Sequence, residues 1–337
     1  MASSKDGKVP GLESATAGDV IDAPVRVFLW MVPRTCSTVI TKCMSFVDDC
    51  VVWMEPYCMC HLNETEFNPE FKKDDPDMMK YNERRATLMQ SGEIQQLLAQ
   101  IQQKAALLPN LNDQTNFTHS WVQEQLSQDE PSKKVIFVKD ETFAIVSREE
   151  FLPKVPFRHT FLIRHPREVF VSYRKMVAET GNFGLIKEED CDPVRDGPTL
   201  PAKEFYKTQL DMLNYVTKNI EPNPIVIDAH DFLSNPKAML SKYFEMLEIP
   251  FKDSFLSWEG DMSHVETKFR GSPMGVVAVA EKDTLKKAFT STSFKPPKYP
   301  RGVVADDVKF TPELEKLIED AMPYYEEMFS KRLVLED

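Results

Sequence analysis

A short turn near the start of the chain concentrates side chains that bind anions. Residues 33–38 read Pro-Arg-Thr-Cys-Ser-Thr, which places a guanidinium beside several hydroxyl groups. A guanidinium can form paired hydrogen bonds to a phosphate or sulfate, and Ser and Thr hydroxyls can donate further ones. The glycine loop G-x-x-x-x-G-K-[ST] is absent, so this is not a Walker A site. An ordinary turn whose hydroxyls cap a helix would have the same composition. The candidate anion-binding residues are Arg34, Thr35, Cys36, Ser37 and Thr38.

The residues on either side of this turn predict a strand followed by a helix. Residues 25–32 form a nearly continuous β-branched and aromatic run, which is typical of a strand buried on both faces. Pro33 ends that strand, and apolar residues return at helical spacing from Val39. A strand that leads into a helix through a short turn directs several backbone N–H groups and the positive helix end at one point. These elements therefore favour the same anion site as the side chains do.

Charged residues follow three other predicted strands. Glu55 follows one strand, Lys139 and Glu141 follow another, and Arg164 follows a third. The carboxyl ends of parallel strands form the edge of an open sheet where ligands bind. Strands that alternate with helical segments predict a three-layer α/β/α sandwich around a parallel sheet of about five strands. Besides the first strand, the predicted strands are residues 50–54, 134–138, 158–163 and 224–228.

The bulk composition narrows the classes of partner. Lys and Arg number 41 against 53 Asp and Glu, so the net charge is −12, and a general nucleic-acid or anionic-membrane binder is not expected. No apolar stretch has the length of a membrane span, and the polar first ten residues do not form a signal peptide. The spacing of Cys58, Cys60 and His61 does not match a zinc knuckle. Reduced thiols in the cytoplasm are the expected state of the six cysteines.

The chain divides into a tail and one folded region. Residues 1–23 are small and polar, which predicts a disordered N-terminal tail. Residues 62–130 show helical periodicity and no strand, so we expect a helical insertion that covers the sheet and contributes to an acceptor pocket. The remainder, residues 24–333, is interpreted as a single domain that contains this insertion. The sequence does not indicate an oligomeric state.

Three stretches carry a further pattern. They are residues 32–38 (Val-Pro-Arg-Thr-Cys-Ser-Thr), residues 161–173 (Phe-Leu-Ile-Arg-His-Pro-Arg-Glu-Val-Phe-Val-Ser-Tyr), and residues 231–236 with 247–251. Together they resemble the sulfotransferase superfamily, whose members use 3′-phosphoadenosine 5′-phosphosulfate (PAPS), and in particular its bacterial-type branch. The second stretch is the most specific, because its Arg, Pro and Ser match the family's 3′-phosphate-binding pattern. The resemblance implies a P-loop NTPase-like fold, nucleotide binding and transfer of a sulfuryl group without a metal.

The resemblance also implies roles for individual residues. The turn from Arg34 to Thr38 would hold the 5′-phosphosulfate, and Arg164 with Ser172 would hold the 3′-phosphate. Lys139 would stabilise the transferred sulfuryl group, and Arg34 stands where the cytosolic enzymes have Lys. The family's basic C-terminal Arg-Lys-Gly loop has two partial matches, residues 269–271 and 299–302. We take Arg270 of the first as the expected 3′-phosphate contact.

The family's catalytic His is missing, since Lys139 is followed by Asp140 and Glu141. Two carboxylates can replace it as the base, Glu55 and Glu141. We favour Glu55, because Pro56 is expected to force an extended backbone at Glu55 and so to fix the direction of its side chain. The acceptor is expected to be a small or lipid-like hydroxyl or amine compound. A nucleotide-binding family member that has lost transfer is the main alternative. A small-molecule kinase is a weaker one, because it would need the missing glycine loop.

Overall fold

A computed structural model describes residues 23–106, 112–182, 184–260, 267–272, 288 and 290–335. The predicted tail therefore lies almost wholly outside the described residues. A six-stranded, wholly parallel sheet organises the described part, in the order β5-β4-β1-β3-β2-β6. Its strands are β1 (Val25–Met31), β2 (Cys50–Met54), β3 (Val135–Glu141), β4 (Arg158–Ile163), β5 (Ile225–Asp228) and β6 (Phe269–Arg270).

Helices cover both faces of this sheet. One layer contains α1 (Ser37–Ser45), α8 (Ala229–Ser234) and α9 (Pro236–Met246). The other layer contains α2 (Pro56–Glu64), α5 (His119–Ser127), α6 (Pro166–Met176), α7 (Phe205–Asn219) and the C-terminal α10 (Pro312–Ser330). Two further helices, α3 (Pro76–Met89) and α4 (Gly92–Ala106), extend from the second layer. The predicted three-layer α/β/α sandwich is confirmed.

The alternation of side chains along β1 explains its apolar sequence. Phe28 and Trp30 point into the core cluster on one face, and Val27 and Leu29 point into the cluster on the other. All four are fully buried, because a parallel sheet covered on both sides leaves no face for polar residues. Trp30 Nε1 donates a hydrogen bond to His159 Nδ1 at 2.8 Å, so its one polar group is satisfied within the core.

Two features differ from the prediction. The sheet has a sixth strand, β6, which is too short at two residues to leave a periodic pattern in the sequence. Glu55 is not extended but left-handed, with φ 53° and ψ 49°. The chain must turn from β2 directly into α2, which begins at Pro56, while the Glu55 N–H still donates to the Lys139 carbonyl oxygen at 2.8 Å.

The helical character of residues 62–130 is visible in the described part of this region, and its contribution to an acceptor pocket stays a prediction. Within residues 62–130, every regular element among the described residues is a helix or a 3₁₀ turn. Within the described part of the chain, no helix combines the length and apolar character needed to cross a membrane.

Candidate active site

A cavity of about 690 Å³ lies at the carboxyl ends of β1, β2, β3 and β4. It collects the predicted site residues from four separate segments of the chain, with the exceptions of Thr35 and Arg270. Parallel strands place their carboxyl ends at one edge, so residues far apart in sequence meet there. The predicted residues that line it are Arg34, Cys36, Ser37, Thr38, Glu55, Lys139, Glu141, Arg164 and Ser172.

The β1–α1 turn has an unusual backbone. Arg34 and Cys36 both adopt left-handed conformations, with φ of 71° and 65°. For residues other than glycine this conformation costs on the order of 1 kcal/mol, and such strain is concentrated at functional sites. Thr35 lies between them, fully buried, and its hydroxyl donates to the Val32 carbonyl oxygen at 3.1 Å. Thr35 thus stabilises the turn. Its neighbours Arg34 and Cys36 line the cavity, as does Ser37, which is the first residue of α1.

Two arginines lie side by side next to this turn. Arg164 Nη1 donates to the Arg34 carbonyl oxygen at 2.9 Å, and Arg34 Nε donates to Ser172 Oγ at 3.0 Å. Burial lowers the pKa of the Arg34 guanidinium, and the positive charge of Arg164 acts in the same direction. Arg164 pairs with Glu168, whereas Arg34 has no carboxylate partner among the residues the structure describes. The pair therefore leaves positive charge available to an anion.

The far side of the same cavity is acidic. The Glu55 carboxylate forms an ion pair with the Lys139 ammonium, whose side chain is only 4% exposed. The Glu141 carboxyl accepts a hydrogen bond from Cys58 Sγ at 3.3 Å. Burial raises the pKa of Glu141 well above its ordinary value, and the neighbouring Glu55 charge adds to that shift. The cavity thus has a cationic end at Arg34 and an acidic end at Glu55 and Glu141.

Asp140, between Lys139 and Glu141, has a structural role. Its carboxylate accepts hydrogen bonds from the backbone N–H groups of Tyr57 at 2.6 Å and Cys58 at 3.0 Å. These groups belong to the first turn of α2, where backbone donors lack helical partners. Burial nevertheless raises the pKa of Asp140 to about 8. This contact joins α2 to β3, and so it places Glu55 beside Lys139.

Three potential metal ligands meet at the acidic end. One atom each from Glu55, Cys58 and Glu141 lies within 4.8 Å of the others. The Lys139 ammonium already pairs with Glu55 at this place, and a cation there would have to compete with it. This donor set therefore fits proton transfer between carboxyl groups better than a divalent ion.

A second cavity of about 370 Å³ shares Arg164, Ser172 and Leu233 with the first. Its opposite wall is a segment of residues 297–308, which includes Lys298 and Tyr299 and is called the C-terminal loop below. Only a partial sign of this loop is present in the sequence, the Tyr-Pro-Arg-Gly match at residues 299–302.

Arg270 lines neither of these two cavities, so its contact with a 3′-phosphate stays a prediction. Arg270 lies on β6, and three strands separate β6 from β4, after which Arg164 follows. Four strand spacings of about 4.8 Å make the two strands roughly 19 Å apart. Arg301 lies in the C-terminal loop instead, where it pairs with Asp228 at 3.2 Å and with Asp231. The second partial match, and not the first, lies next to Arg164.

Sequence reasoning did not identify the apolar lining of the first cavity. These side chains come singly from α2, α6, α8 and the segment before α7, so no local spacing connects them. The apolar side chains in question are those of Leu62, Met176, Leu200 and Leu233.

No protein-family model matches the sequence, and no curated protein matches it. Among solved structures, the chain is similar to the sulfotransferase domain from the curacin biosynthetic pathway, with 17% identity, a TM-score of 0.39, and coverage of 89% of this chain and 98% of that one. It is also similar to the sulfotransferase domain from the Synechococcus PCC 7002 olefin synthase, with 12% identity, a TM-score of 0.44, and coverage of 91% and 98%. Both are sulfotransferase domains, the family that the three sequence stretches resemble. At these TM-scores, the function proposed below depends on the side chains of the site.

The raised pKa of the buried Glu141 carboxyl predicts how the free energy of unfolding changes with pH. Its pKa is raised in the folded protein, so between its ordinary pKa of 4.5 and the higher folded value the folded state holds more protons than the unfolded chain. Stability therefore decreases as pH rises through this range. Glu141→Gln does not titrate and should be more stable than the parent at pH 7, by about 1 kcal/mol.

Denaturant unfolding between pH 5 and 8 measures this difference. We expect the stability gain of Glu141→Gln to grow with pH. The control is Glu326→Gln, at an exposed position on α10. If Glu141→Gln increased stability equally at every pH, or decreased stability, the raised pKa of Glu141 would be contradicted.

Proposed function

We propose that this protein is a PAPS-dependent sulfotransferase that acts on a hydroxyl or amine of a small or lipid-like acceptor. The observation that carries the proposal is the pair of contacts that Arg34 makes with Ser172 and Arg164. These contacts join the β1–α1 turn to α6 and to the residue after β4, and Arg164 and Ser172 line both cavities. A nucleotide with phosphates at both its 5′ and 3′ positions suits such a pair of cavities, because it carries two separated anionic groups.

Each anionic group has its own set of donors. The turn from Arg34 to Thr38 and the N-terminus of α1 would bind the 5′-phosphosulfate, since a helix N-terminus favours negative charge. Arg164 and Ser172 would bind the 3′-phosphate, and Lys298 lines the same second cavity. The nucleoside would lie against the C-terminal loop.

The chemistry follows from the two ends of the first cavity. The bond between sulfur and the bridging oxygen of the donor breaks, and a bond from the acceptor oxygen or nitrogen to sulfur forms in line with it. Arg34 and the turn N–H groups would stabilise the negative charge on the sulfuryl and leaving oxygens. Lys139, at the boundary between the cationic and acidic ends, would contact the sulfuryl group once Glu55 takes up the acceptor's proton.

Geometry favours Glu55 over Glu141 as the base. Glu55 forms an ion pair with Lys139, the residue that would contact the sulfuryl group, so the two side chains lie together where transfer would occur. Burial and the neighbouring Glu55 charge raise the pKa of Glu141 well above its ordinary value, which makes Glu141 the less suitable of the two to accept a proton. Glu141 would instead form a hydrogen bond that orients the acceptor atom.

The remaining walls indicate the kind of acceptor. The side chains of Leu62, Met176 and Leu200 line the first cavity together with the charged groups. An acceptor with an apolar skeleton would bury surface there, and a carboxylate or phosphate on it would be repelled by the acidic groups.

All six cysteines are free thiols, as expected of a cytoplasmic protein.

One other function has an observation in its favour. The Lys139–Glu55 ion pair engages both groups that transfer would need, which suits a protein that binds the nucleotide without transferring sulfate. Nucleotide binding is common to both functions, whereas turnover belongs to one of them.

Calorimetric titration with 3′-phosphoadenosine 5′-phosphate (PAP), the nucleotide product, tests the nucleotide site. We expect micromolar or tighter binding of PAP and much weaker binding of ATP and ADP. Arg164→Ala should weaken PAP binding roughly 10- to 100-fold, since a hydrogen bond to a charged group contributes about 1.5–3 kcal/mol.

Arg158→Ala is the matched control, because Arg158 lies at the opposite end of β4 and pairs with Glu221 there. Its PAP affinity should equal that of the parent protein. Equal or tighter binding of ATP, or no binding of PAP, would refute the sulfotransferase assignment.

Two carboxamide variants test the base. Glu55→Gln should lower kcat by about 10²- to 10⁴-fold with PAP affinity kept, as expected for loss of a general base. Glu141→Gln should keep most of the activity, because a neutral amide also donates a hydrogen bond. Both are measured by transfer of labelled sulfate from PAPS across an acceptor panel of apolar alcohols and amines. The reverse ranking would identify Glu141 as the base, and PAP binding without any turnover would favour the non-transferring alternative.

A further inference from the structure

Glu168 forms a bridge between the two walls of the second cavity. One carboxylate oxygen, Oε2, accepts a hydrogen bond from Arg164 Nε at 2.9 Å. The other, Oε1, accepts one from the backbone N–H of Gly302 at 2.9 Å. Glu168 lies in the first turn of α6, and its side chain is 11% exposed, so both hydrogen bonds are largely shielded from water. A single carboxylate therefore fixes an arginine of one wall and the backbone of the other.

The C-terminal loop is held firmly at the point where Glu168 contacts it. Arg301, the preceding residue, pairs with Asp228 and Asp231, and its guanidinium lies over the Phe329 ring at 4.5 Å from the centroid. Gly302 has a φ of 75°, and a Cβ atom there would lie 2.8 Å from His165 Nε2. The loop thus approaches the start of α6 as closely as a backbone without a side chain permits.

We propose that Glu168 is a positioning residue for nucleotide binding. It aims the Arg164 guanidinium and sets the C-terminal loop at a fixed distance from it, so that both walls contact one ligand. The inference rests on the proposed function, since it takes the anion at Arg164 to be the 3′-phosphate of the nucleotide. Both carboxylate oxygens of Glu168 already accept hydrogen bonds from the protein, so its proposed role is to position those two donors.

If Glu168 acted only through its charge, it would weaken nucleotide binding and not support it. A carboxylate beside an anion site repels the anion, so removal of the Glu168 charge should then strengthen binding. Loss of the bridge should weaken binding, because Arg164 and the loop would have to be ordered when the ligand binds. The direction of the change therefore separates the two roles.

Glu168→Gln is the primary variant, with PAP and 5′-AMP as probes in calorimetry. These ligands differ only in the 3′-phosphate. Gln has one acceptor oxygen and an amide that faces the second donor, so it can keep only one of the two hydrogen bonds. We expect PAP binding to weaken about 5- to 10-fold and 5′-AMP binding to weaken clearly less, because both ligands contact the loop but only PAP has the 3′-phosphate that Arg164 binds.

Glu168→Asp tests the length of the side chain separately from its charge, because it keeps the carboxylate and shortens the side chain by one methylene. It should weaken PAP binding as Glu168→Gln does. The matched control is Glu179→Gln, which removes a carboxylate whose charge also acts on Arg34 but which pairs with Lys175. The control should not weaken PAP binding.

The outcomes distinguish this inference from the proposed function. If the parent protein does not prefer PAP over 5′-AMP, the proposed function fails. If the parent does prefer PAP, and Glu168→Gln and Glu168→Asp leave that preference unchanged or increase it, the positioning role is refuted. Equal weakening of both ligands would indicate general destabilisation and would also refute it. If Glu168→Gln does not fold, Glu168→Asp provides the same comparison.

Discussion

The contact between Arg34 and Arg164 is the constraint on which the rest of the site depends. Two guanidinium groups are brought together at the edge of a buried parallel sheet, where water screens their repulsion poorly. The Glu168 carboxylate pairs with Arg164, and the strained β1–α1 turn holds Arg34 at the wall of the first cavity. Two neighbouring positive charges repel each other, so this arrangement favours binding of an anion, which we propose to be the nucleotide.

The same edge of the sheet separates opposite charges over a short distance. Asp140 fixes α2 to β3, and this contact positions Glu55 against Lys139 at the acidic end of the cavity. On the proposed function, a donor bound at the cationic end would present its sulfuryl group towards Glu55 and Glu141. The sheet's role is therefore geometric. It brings together basic and acidic side chains from strands that are distant in sequence.

Much of this architecture could be predicted from the sequence, because buried strands have a distinctive composition. The β4 boundaries agree with the prediction at both ends, and α6 begins at Pro166, whose fixed φ suits the first helical position. Positions set by tertiary contacts could not be predicted. Glu55 is left-handed because of how β2 meets α2, and β6 is too short to leave a pattern. Arg270 and Arg301 lie in equally suggestive local sequences, and only the tertiary structure shows that the loop of Arg301 shares a cavity with Arg164.

The central claim is that one nucleotide spans the two cavities, with its 5′-phosphate at the β1–α1 turn and its 3′-phosphate at Arg164. A crystal structure of the complex with PAP tests this most directly, since it locates both phosphates at once. The account predicts 3′-phosphate oxygens within hydrogen-bond distance of Arg164 and Ser172, and the 5′-phosphate at the N-terminus of α1. A nucleotide bound in the reverse orientation, or at any other surface, would contradict it.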